Sequence, residues 1–498
     1  MGLIKKQSIQ SLIYANLGVL IGFFNSAVII PRLFDPYQNG LISFTNSITS
    51  MFATFFTLGL PLVAVKLLPK FREDKKMLNG HYTLLINTIL TGIVGGAAIF
   101  LLFENYWINE DNGIRDVSWF FWIFLVVFAL RLVGKQFDAV VTMMYNAVIG
   151  AAIENVVLKI VFLIGILSFH YLFDLPDFWL LIFVGIAFAS PGIVMFFYHR
   201  KYKLSYSRSA LKEYLGEYKQ EIKMVAFYGL LGSLGNMIIL DIDRIMLGNM
   251  LTMADTGVYS VTFFFGLFVA MPSRSMKKIA NVVAADAWER EDSKMLKDIY
   301  QKTSITQLIF SSYLFLGVWF CFPFYAEFMR PEYLGGIWVV FYIGLSNVVN
   351  SLFGVNQELI RTSKYYMYNA YFVIVLLFLV IGLNYLMIPI WGITGAAVAS
   401  FIAMVVLNII RFFFVKAKMD MQPFTRMHIK VLVLGLSIFA LITLTPVIFT
   451  GFLGILFYGS IITLLYWLPI YFIRPSEDVN DLIVNTFRRI GINLKQKN

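Results

Sequence analysis

Apolar segments long enough to cross a bilayer as α-helices recur along the whole chain. A helix of about 20 apolar residues spans the ~30 Å hydrocarbon core. We predict fourteen transmembrane helices, at residues 9–33, 41–65, 82–103, 118–137, 148–171, 178–198, 224–248, 257–279, 303–325, 335–355, 369–388, 393–414, 429–449 and 451–473. Only 14% of the residues are charged, against about 25% in soluble domains. The pattern therefore predicts an all-α polytopic membrane protein.

Basic side chains are distributed unequally between the two sets of connections. If the spans alternate in direction, 33 of the 40 Lys and Arg residues fall on one side, and four fall on the other: Arg32, Arg115, Arg244 and Arg330. Connections rich in Lys and Arg stay in the cytoplasm. We predict that both termini are cytoplasmic and that the protein is a multi-pass protein of the cell (inner) membrane. The cytoplasmic Lys and Arg residues then account for the net charge of +11, so we expect no nucleic-acid partner.

Faint matches between the two halves predict an internal repeat. Pro61 stands five residues before Lys66, and Pro272 stands five residues before Lys277. We divide the chain into an N-terminal six-helix lobe (1–198), a cytoplasmic amphipathic linker (199–223), a C-terminal six-helix lobe (224–415), helices 13 and 14 (416–473) and a cytoplasmic amphipathic tail (474–498). Linker and tail are interpreted either as helices on the membrane surface or as ordinary solvated helices.

Ionisable side chains fall inside several of the apolar segments. A charge at the bilayer centre costs at least ~2.5–3.5 kcal/mol, so it needs a partner or water. Arg131, Lys135 and Asp138 follow an i, i+4, i+7 spacing and share one helix face, and Glu154 and Lys159 lie in the next span. We interpret these residues as the lining of a hydrated cationic cavity, because Arg binds phosphate oxygens bidentately. The alternatives are internal ion pairs or positions at the cytoplasmic interface.

Three further charged residues lie at the end of the seventh predicted span: Asp241, Asp243 and Arg244. Asp241 and Arg244 are three apart and can pair on one helix face. The alternative is that the helix ends at Leu240 and that these charges are in water. Amides in the apolar runs are expected to make interhelical hydrogen bonds, and these are Asn25, Asn46, Asn87, Asn155, Asn236, Asn347 and Asn350.

The chain shows no catalytic constellation. It lacks a Walker lysine loop, so ATP is not expected as the direct energy source. A single cysteine, Cys321, and four widely separated histidines argue against a metal site built from these residues. We therefore predict no catalytic residue, no metal and no cofactor, and we expect a protein that is not an enzyme.

Three segments resemble sequence elements of the polysaccharide-biosynthesis flippases. Residues Pro31 to Gly40 resemble the element that follows the first helix of that family, and Gly59 to Lys66 resemble the end of its second helix. Asp243 to Gly248, followed by Thr256 to Tyr259, resemble its seventh-helix element. The pair Asp35-Pro36 departs from the usual Gly-Pro. The family belongs to the multidrug/oligosaccharidyl-lipid/polysaccharide (MOP) exporter superfamily, which includes O-antigen unit flippases and the lipid II flippase.

The resemblance implies a fold like that of the multidrug and toxic compound extrusion (MATE) transporters, with two six-helix lobes around a cavity and alternating access. It implies as cargo a polyprenyl-pyrophosphate-linked oligosaccharide, such as a cell-surface polysaccharide or lipopolysaccharide O-antigen unit. Membrane lipids and other polysaccharide-assembly proteins are the implied partners. The motif arginines Arg32 and Arg244 join Arg131, Lys135 and Lys159 as candidate substrate-binding residues.

Transport coupled to a proton or sodium gradient is predicted, with four carboxylates as coupling candidates: Asp138, Glu154, Asp241 and Asp243. One alternative is a cation-coupled drug exporter of the MATE type, whose pocket should favour acids over bases. Another alternative is a membrane polysaccharide polymerase or ligase. The short connections on the outer side of the predicted topology argue against that second alternative.

Overall fold

The computed structural model describes residues 2–107, 117–173, 175–476, 479–481 and 484. Every regular element formed by these residues is helical. The α-helices are α1 (Gly2–Phe23), α2 (Ile30–Leu33), α3 (Pro36–Phe56), α4 (Leu60–Leu67), α5 (Lys75–Leu102), α6 (Glu104–Trp107), α7 (Val117–Val141), α8 (Ala147–Ala152), α9 (Leu158–Leu172), α10 (Asp177–Tyr198), α11 (Arg208–Met250), α12 (Met253–Phe268), α13 (Met271–Glu289), α14 (Ser293–Ala326), α15 (Ile337–Leu352), α16 (Asn356–Thr362), α17 (Tyr368–Met419), α18 (Arg426–Thr443) and α19 (Gly451–Ile473). Three π-helical segments interrupt them, at Phe24–Ile29, Thr142–Asn146 and Ile153–Val157.

The all-α membrane fold predicted from the apolar segments is confirmed. Among the described residues, 10 helices are long and apolar enough to cross a membrane, or up to 13 if each of three bent helix pairs is one span. The bent pairs are α3 with α4, the two parts of α11, and α12 with α13. The number of fourteen spans stays a prediction.

Helix α17 is 52 residues long and consists of two helices. Gly392 breaks it with φ 57° and ψ −135°. A Cβ atom on Gly395 would lie only 2.1 Å from the carbonyl oxygen of Met387, whereas residues eight apart in a straight helix are roughly 12 Å apart. The chain therefore reverses at Gly392, and the two parts match the predicted spans 369–388 and 393–414.

The chain packs as two compact units, Met1–Ser260 and Val261–Asn498. In the first unit, α7 packs against α3 and α10, and α11 packs against α3, α4 and α5. Aromatic rings fill the core beside α7, where Phe52 contacts Phe124 edge to face at a centroid distance of 5.0 Å. The predicted lobe boundaries stay predictions.

The second unit is organised around α14, which packs against α13, α15, α18 and α19. Buried side chains of α14, including Leu308 and Ile309, form a core with Ile438 of α18 and Ile462 of α19. The Tyr466 hydroxyl donates a hydrogen bond of 2.8 Å to the Ile309 carbonyl. The two last predicted spans are thus integral to the packing of this unit.

Residues 208–223 of the predicted linker form the first part of α11, which continues into the seventh predicted span with a bend of 57° near Asn236. Their apolar face is buried against protein rather than laid on a membrane surface, because Tyr214 and Ile222 pack in a cluster with Phe71. Tyr214 is also hydrogen-bonded through its hydroxyl to His81 Nδ1 at 3.0 Å. Most of the predicted tail 474–498 lies outside the described residues.

The matched prolines of the predicted repeat occupy equivalent places beside two helix breaks. The helices α3 and α4 meet at 50°, and α12 and α13 meet at 56°. Pro61 and Pro272 each stand at the second residue of the helix that follows the break. A proline is tolerated there because the first turn of a helix has no acceptor for its missing N–H.

The glycines of the two family-like motifs make a close backbone contact in the first unit. A Cβ atom on Gly257 would lie 1.8 Å from the carbonyl oxygen of Pro36, and one on Gly40 would lie 1.7 Å from that of Met253. The Asn39 side chain donates a 2.8 Å hydrogen bond to the Gly257 carbonyl. The start of α3 thus lies directly on α12, at a distance that only glycine permits.

The departure from Gly-Pro at Asp35-Pro36 has a local reason. Asp35 is the N-cap of α3, and its Oδ1 accepts a 2.8 Å hydrogen bond from the Gln38 backbone N–H. Gln38 Oε1 accepts in return from the Asp35 backbone N–H at 3.3 Å, which completes a capping box. Gln38 also donates to Asp177 at the start of α10.

We expect Gly257→Ala to destabilise the protein by about 1–3 kcal/mol, the usual effect of overpacking, because backbone atoms must move to admit the methyl group. Thermal unfolding of the purified protein in detergent measures the effect. The control is Gly216→Ala on α11, where the new Cβ meets no atom within 4 Å. Equal melting temperatures for the two variants would contradict the close packing of α3 on α12.

Candidate functional site

A cavity of about 290 Å³ lies within the helices of the first unit. It is walled by α7, by residues from the π-helical segment Ile153–Val157 to the start of α9, by α10 and by Ser50 of α3. Five predicted site residues line it: Arg131, Lys135, Asp138, Glu154 and Lys159. The structure thus brings together the charged residues of two consecutive predicted spans around one space.

Helix α7 places three of these residues along one face. It runs without a break from Val117 to Val141, so the spacing of Arg131, Lys135 and Asp138 directs all three toward the same side. The helix continues for six residues beyond Lys135, to Val141.

The planar guanidinium of Arg131 is held at one edge by hydrogen bonds and on one face by an aromatic ring. Its Nη1 donates to the Asn46 backbone carbonyl at 3.0 Å, and its Nη2 donates to Asn46 Oδ1 at 2.7 Å. The guanidinium carbon lies 4.6 Å from the ring centroid of Phe188 on α10. A guanidinium has five N–H donors, so the two bonds to Asn46 leave further donors for a ligand in the cavity.

The two lysines reach the cavity from different helices, α7 and α9. Lys135 Nζ donates to Thr54 Oγ1 at 2.9 Å, and Lys159 Nζ donates to the Gly18 carbonyl at 2.6 Å. The backbone carbonyl of Lys159 accepts a 3.0 Å bond from the Asn25 side chain, an interhelical bond of the kind predicted. A Cβ atom on Gly22 would lie 2.6 Å from Lys159 Nζ, so this glycine leaves the room that the ammonium group occupies.

The two carboxylates of the cavity differ in their surroundings. Asp138 Oδ1 is buried and has no hydrogen-bond partner among the described residues. A Cβ atom on Gly150 would lie only 1.8 Å from this oxygen, so the glycine leaves room for the carboxylate. Glu154 is exposed and lies on a π-helical segment, a local widening that often occurs at functional sites. With three basic and two acidic side chains, the cavity carries an excess of one positive charge.

Asp241 and Arg244 form a second charged group in the same unit, on α11. Arg244 Nη1 lies 3.7 Å from Asp241 Oδ1, which confirms the predicted pairing. Ser47 donates to Asp241 Oδ1 at 3.0 Å, and Arg244 Nε donates to Ser260 Oγ at 3.1 Å. Because α11 continues to Met250, the alternative in which this helix ends at Leu240 is wrong.

The remaining sequence-predicted residues lie apart from the cavity lining. Asp243 is buried and accepts a hydrogen bond from the Tyr259 hydroxyl. Arg32 is exposed at the end of the short helix α2. Asp241 does not line the cavity, yet it lies within electrostatic range of Arg131 and Lys135. The structure therefore assembles one group around the cavity and one on α11.

Sequence reasoning missed the side chains that hold the charged groups in place. Asn46 was expected only to join helices, and Thr54, Phe188 and Ser47 carried no charge that would single them out. It also missed a charged cluster in the second unit, where Arg411 and Glu358 are 5% and 7% exposed. Arg411 is buried within α17 and donates to Gln357 Oε1 at 3.3 Å.

Comparison with solved structures defines the class of fold. The structure superposes on the lipid II flippase MurJ in an inward closed conformation with a TM-score of 0.70, at 16% identity over 96% of this chain and 99% of that chain. It also superposes on a MATE family multidrug resistance transporter of the MOP superfamily, inward-facing, with a TM-score of 0.59, at 14% identity over 82% and 94%. The fold is therefore that of the MOP flippases and transporters.

The chain belongs to the family described as polysaccharide biosynthesis protein, whose pattern it matches over residues 6–273, more than half its length. The family resemblance inferred from the three motif segments is thereby confirmed. Comparison with curated proteins finds none that matches this sequence.

We expect the cavity to be accessible to water. In a Cys321→Ser background, Glu154→Cys should react with a charged methanethiosulfonate reagent, because the reactive thiolate forms only where water reaches the sulfur. Leu132→Cys, at a fully buried neighbouring position of α7, is the control and should react slowly. Equally slow labelling of both cysteines would show that the cavity is dry.

Proposed function

We propose that the protein translocates a polyprenyl-pyrophosphate-linked oligosaccharide across the membrane by alternating access. The cargo would be a unit of a cell-surface polysaccharide or O-antigen. The observation that carries the proposal is the convergence of Arg131, Lys135 and Lys159 on one cavity in a chain of the polysaccharide biosynthesis family. We further propose cytoplasmic termini in the cell membrane, on the strength of the unequal distribution of basic residues.

The chemistry of the cavity suits a diphosphate. Pyrophosphate oxygens are strong acceptors for charge-assisted hydrogen bonds, and the planar fork of Arg131 matches their geometry. The two ammonium groups supply further positive charge without a fixed direction. Small-molecule sites usually occupy ~300–1,000 Å³, so a cavity of about 290 Å³ would hold the diphosphate and leave the larger glycan outside it.

The same cavity holds two carboxylates that support coupling to a proton or sodium gradient. Asp138 and Glu154 both line the cavity and lie within electrostatic range of each other. A cation that neutralised Asp138 would raise the positive charge of the cavity and strengthen its hold on an anionic headgroup. A membrane potential contributes about 2.3 kcal/mol per charge per 100 mV, which is enough to bias such a step.

The transport test uses the purified protein in proteoliposomes with a fluorescent polyprenyl-pyrophosphate-linked monosaccharide. We expect Arg131→Ala to reduce the apparent affinity by roughly 10- to 100-fold, since hydrogen bonds to charged groups are worth about 1.5–3 kcal/mol. Arg290→Ala, at an exposed arginine of the second unit paired with Asp286, is the matched control and should transport normally.

Two results would count against this function. Normal transport by Arg131→Ala would show that the cavity does not bind the cargo through this residue. Export of cationic drugs by the wild-type protein, without movement of the labelled lipid, would favour the drug-exporter alternative.

The coupling proposal is tested with Asp138→Asn, which keeps the shape of the side chain and removes its charge. We expect the labelled lipid to equilibrate across the bilayer, while an imposed proton or sodium gradient no longer drives accumulation. Asp286→Asn, at an exposed position of the second unit, should leave gradient-driven accumulation intact. Gradient-driven accumulation by Asp138→Asn at the wild-type level would exclude this carboxylate as the coupling group.

A further inference from the structure

Two consecutive residues of α3 connect the cavity to the charged pair on α11. Asn46 accepts both hydrogen bonds from Arg131 on α7, and Ser47 donates its hydroxyl to Asp241 on α11. Consecutive residues of an α-helix point about 100° apart, so one turn of α3 contacts both neighbouring helices through polar side chains. Neither Asn46 nor Ser47 belongs to the lining of the cavity.

Each of these contacts restrains a buried charge. Asn46 and Phe188 fix the plane of the Arg131 guanidinium. Asp241 is 8% exposed and accepts from Ser47 while lying 3.7 Å from Arg244. Buried charges tolerate little displacement from their partners, because an unpaired charge in this environment is expensive.

The two charges are also close enough to influence each other. Arg131 and Asp241 lie within electrostatic range of each other, with opposite signs. A rotation or shift of α3 would therefore change both hydrogen-bonded contacts at once. Conversely, movement of the guanidinium toward a ligand would be transmitted through Asn46 to the turn that carries Ser47.

We propose that Asn46 and Ser47 are positioning residues that couple the anion site at Arg131 to the Asp241–Arg244 pair on α11. The inference rests on the proposed function, because it assumes that Arg131 holds an anionic headgroup. Linkage makes the coupling reciprocal: a perturbation of the Ser47–Asp241 contact changes the anion affinity of the cavity, although neither residue touches the anion.

The experiment measures binding of inorganic pyrophosphate to the purified full chain by isothermal titration calorimetry. We expect Asn46→Ala and Ser47→Ala each to lower the affinity by roughly 5- to 150-fold, the usual range of coupling between linked sites. Ser43→Ala, the same deletion one turn earlier on α3, should bind normally. Ser47→Thr keeps the hydroxyl and should restore most of the affinity.

A second comparison distinguishes coupling through Arg131 from a general disruption of the structure by the Ser47 substitution. In an Arg131→Ala background, Ser47→Ala should cause little further loss of affinity, because the affected contact to the anion is already absent. Wild-type affinity in Ser47→Ala would overturn the proposal. An equal loss in both backgrounds, or failure of Ser47→Thr to restore binding, would also overturn it.

Failure of the proposed function gives a different result. If the wild-type chain binds no pyrophosphate, the anion site is wrong, and the contact network is then tested by thermal unfolding. The changes in melting temperature caused by Ser47→Ala and Arg131→Ala should be non-additive if the turn couples their surroundings. Additive changes would show that the two contacts are independent.

Discussion

The guanidinium of Arg131 in the interior of the first unit is the interaction on which the candidate site depends. A permanently charged group among apolar helices is stable only when hydrogen-bond acceptors and water surround it. The Asn46 side chain and backbone satisfy one edge, and the Phe188 ring covers one face. The remaining N–H donors need acceptors or water, and a cavity beside the guanidinium provides room for them.

The spacing of residues was sufficient to predict part of this arrangement. The i, i+4, i+7 pattern on α7 and the charges of the next span identified five residues that the structure places around one cavity. The same argument paired Asp241 with Arg244. A helix face is fixed by sequence spacing alone, and this is why these expectations could be made without knowing which helices are neighbours.

The rest depended on tertiary neighbours that spacing does not specify. Asn46 resembles every other amide in an apolar run, and only the packing of α3 on α7 shows that it holds Arg131. The π-helical segment Ile153–Val157 has no evident sequence pattern. The burial of Arg411 beside Glu358 likewise depends on the packing of α16 on α17, which the spacing of residues does not specify.

The reversal at Gly392 has a consequence for how the chain enters the bilayer. One glycine with positive φ joins the two parts of α17, so no polar stretch separates them that could remain in water while one part inserts. Backbone groups in hydrocarbon must be satisfied within helices. We therefore expect the two parts to partition together during biosynthesis, as a single helical hairpin rather than as two separate spans.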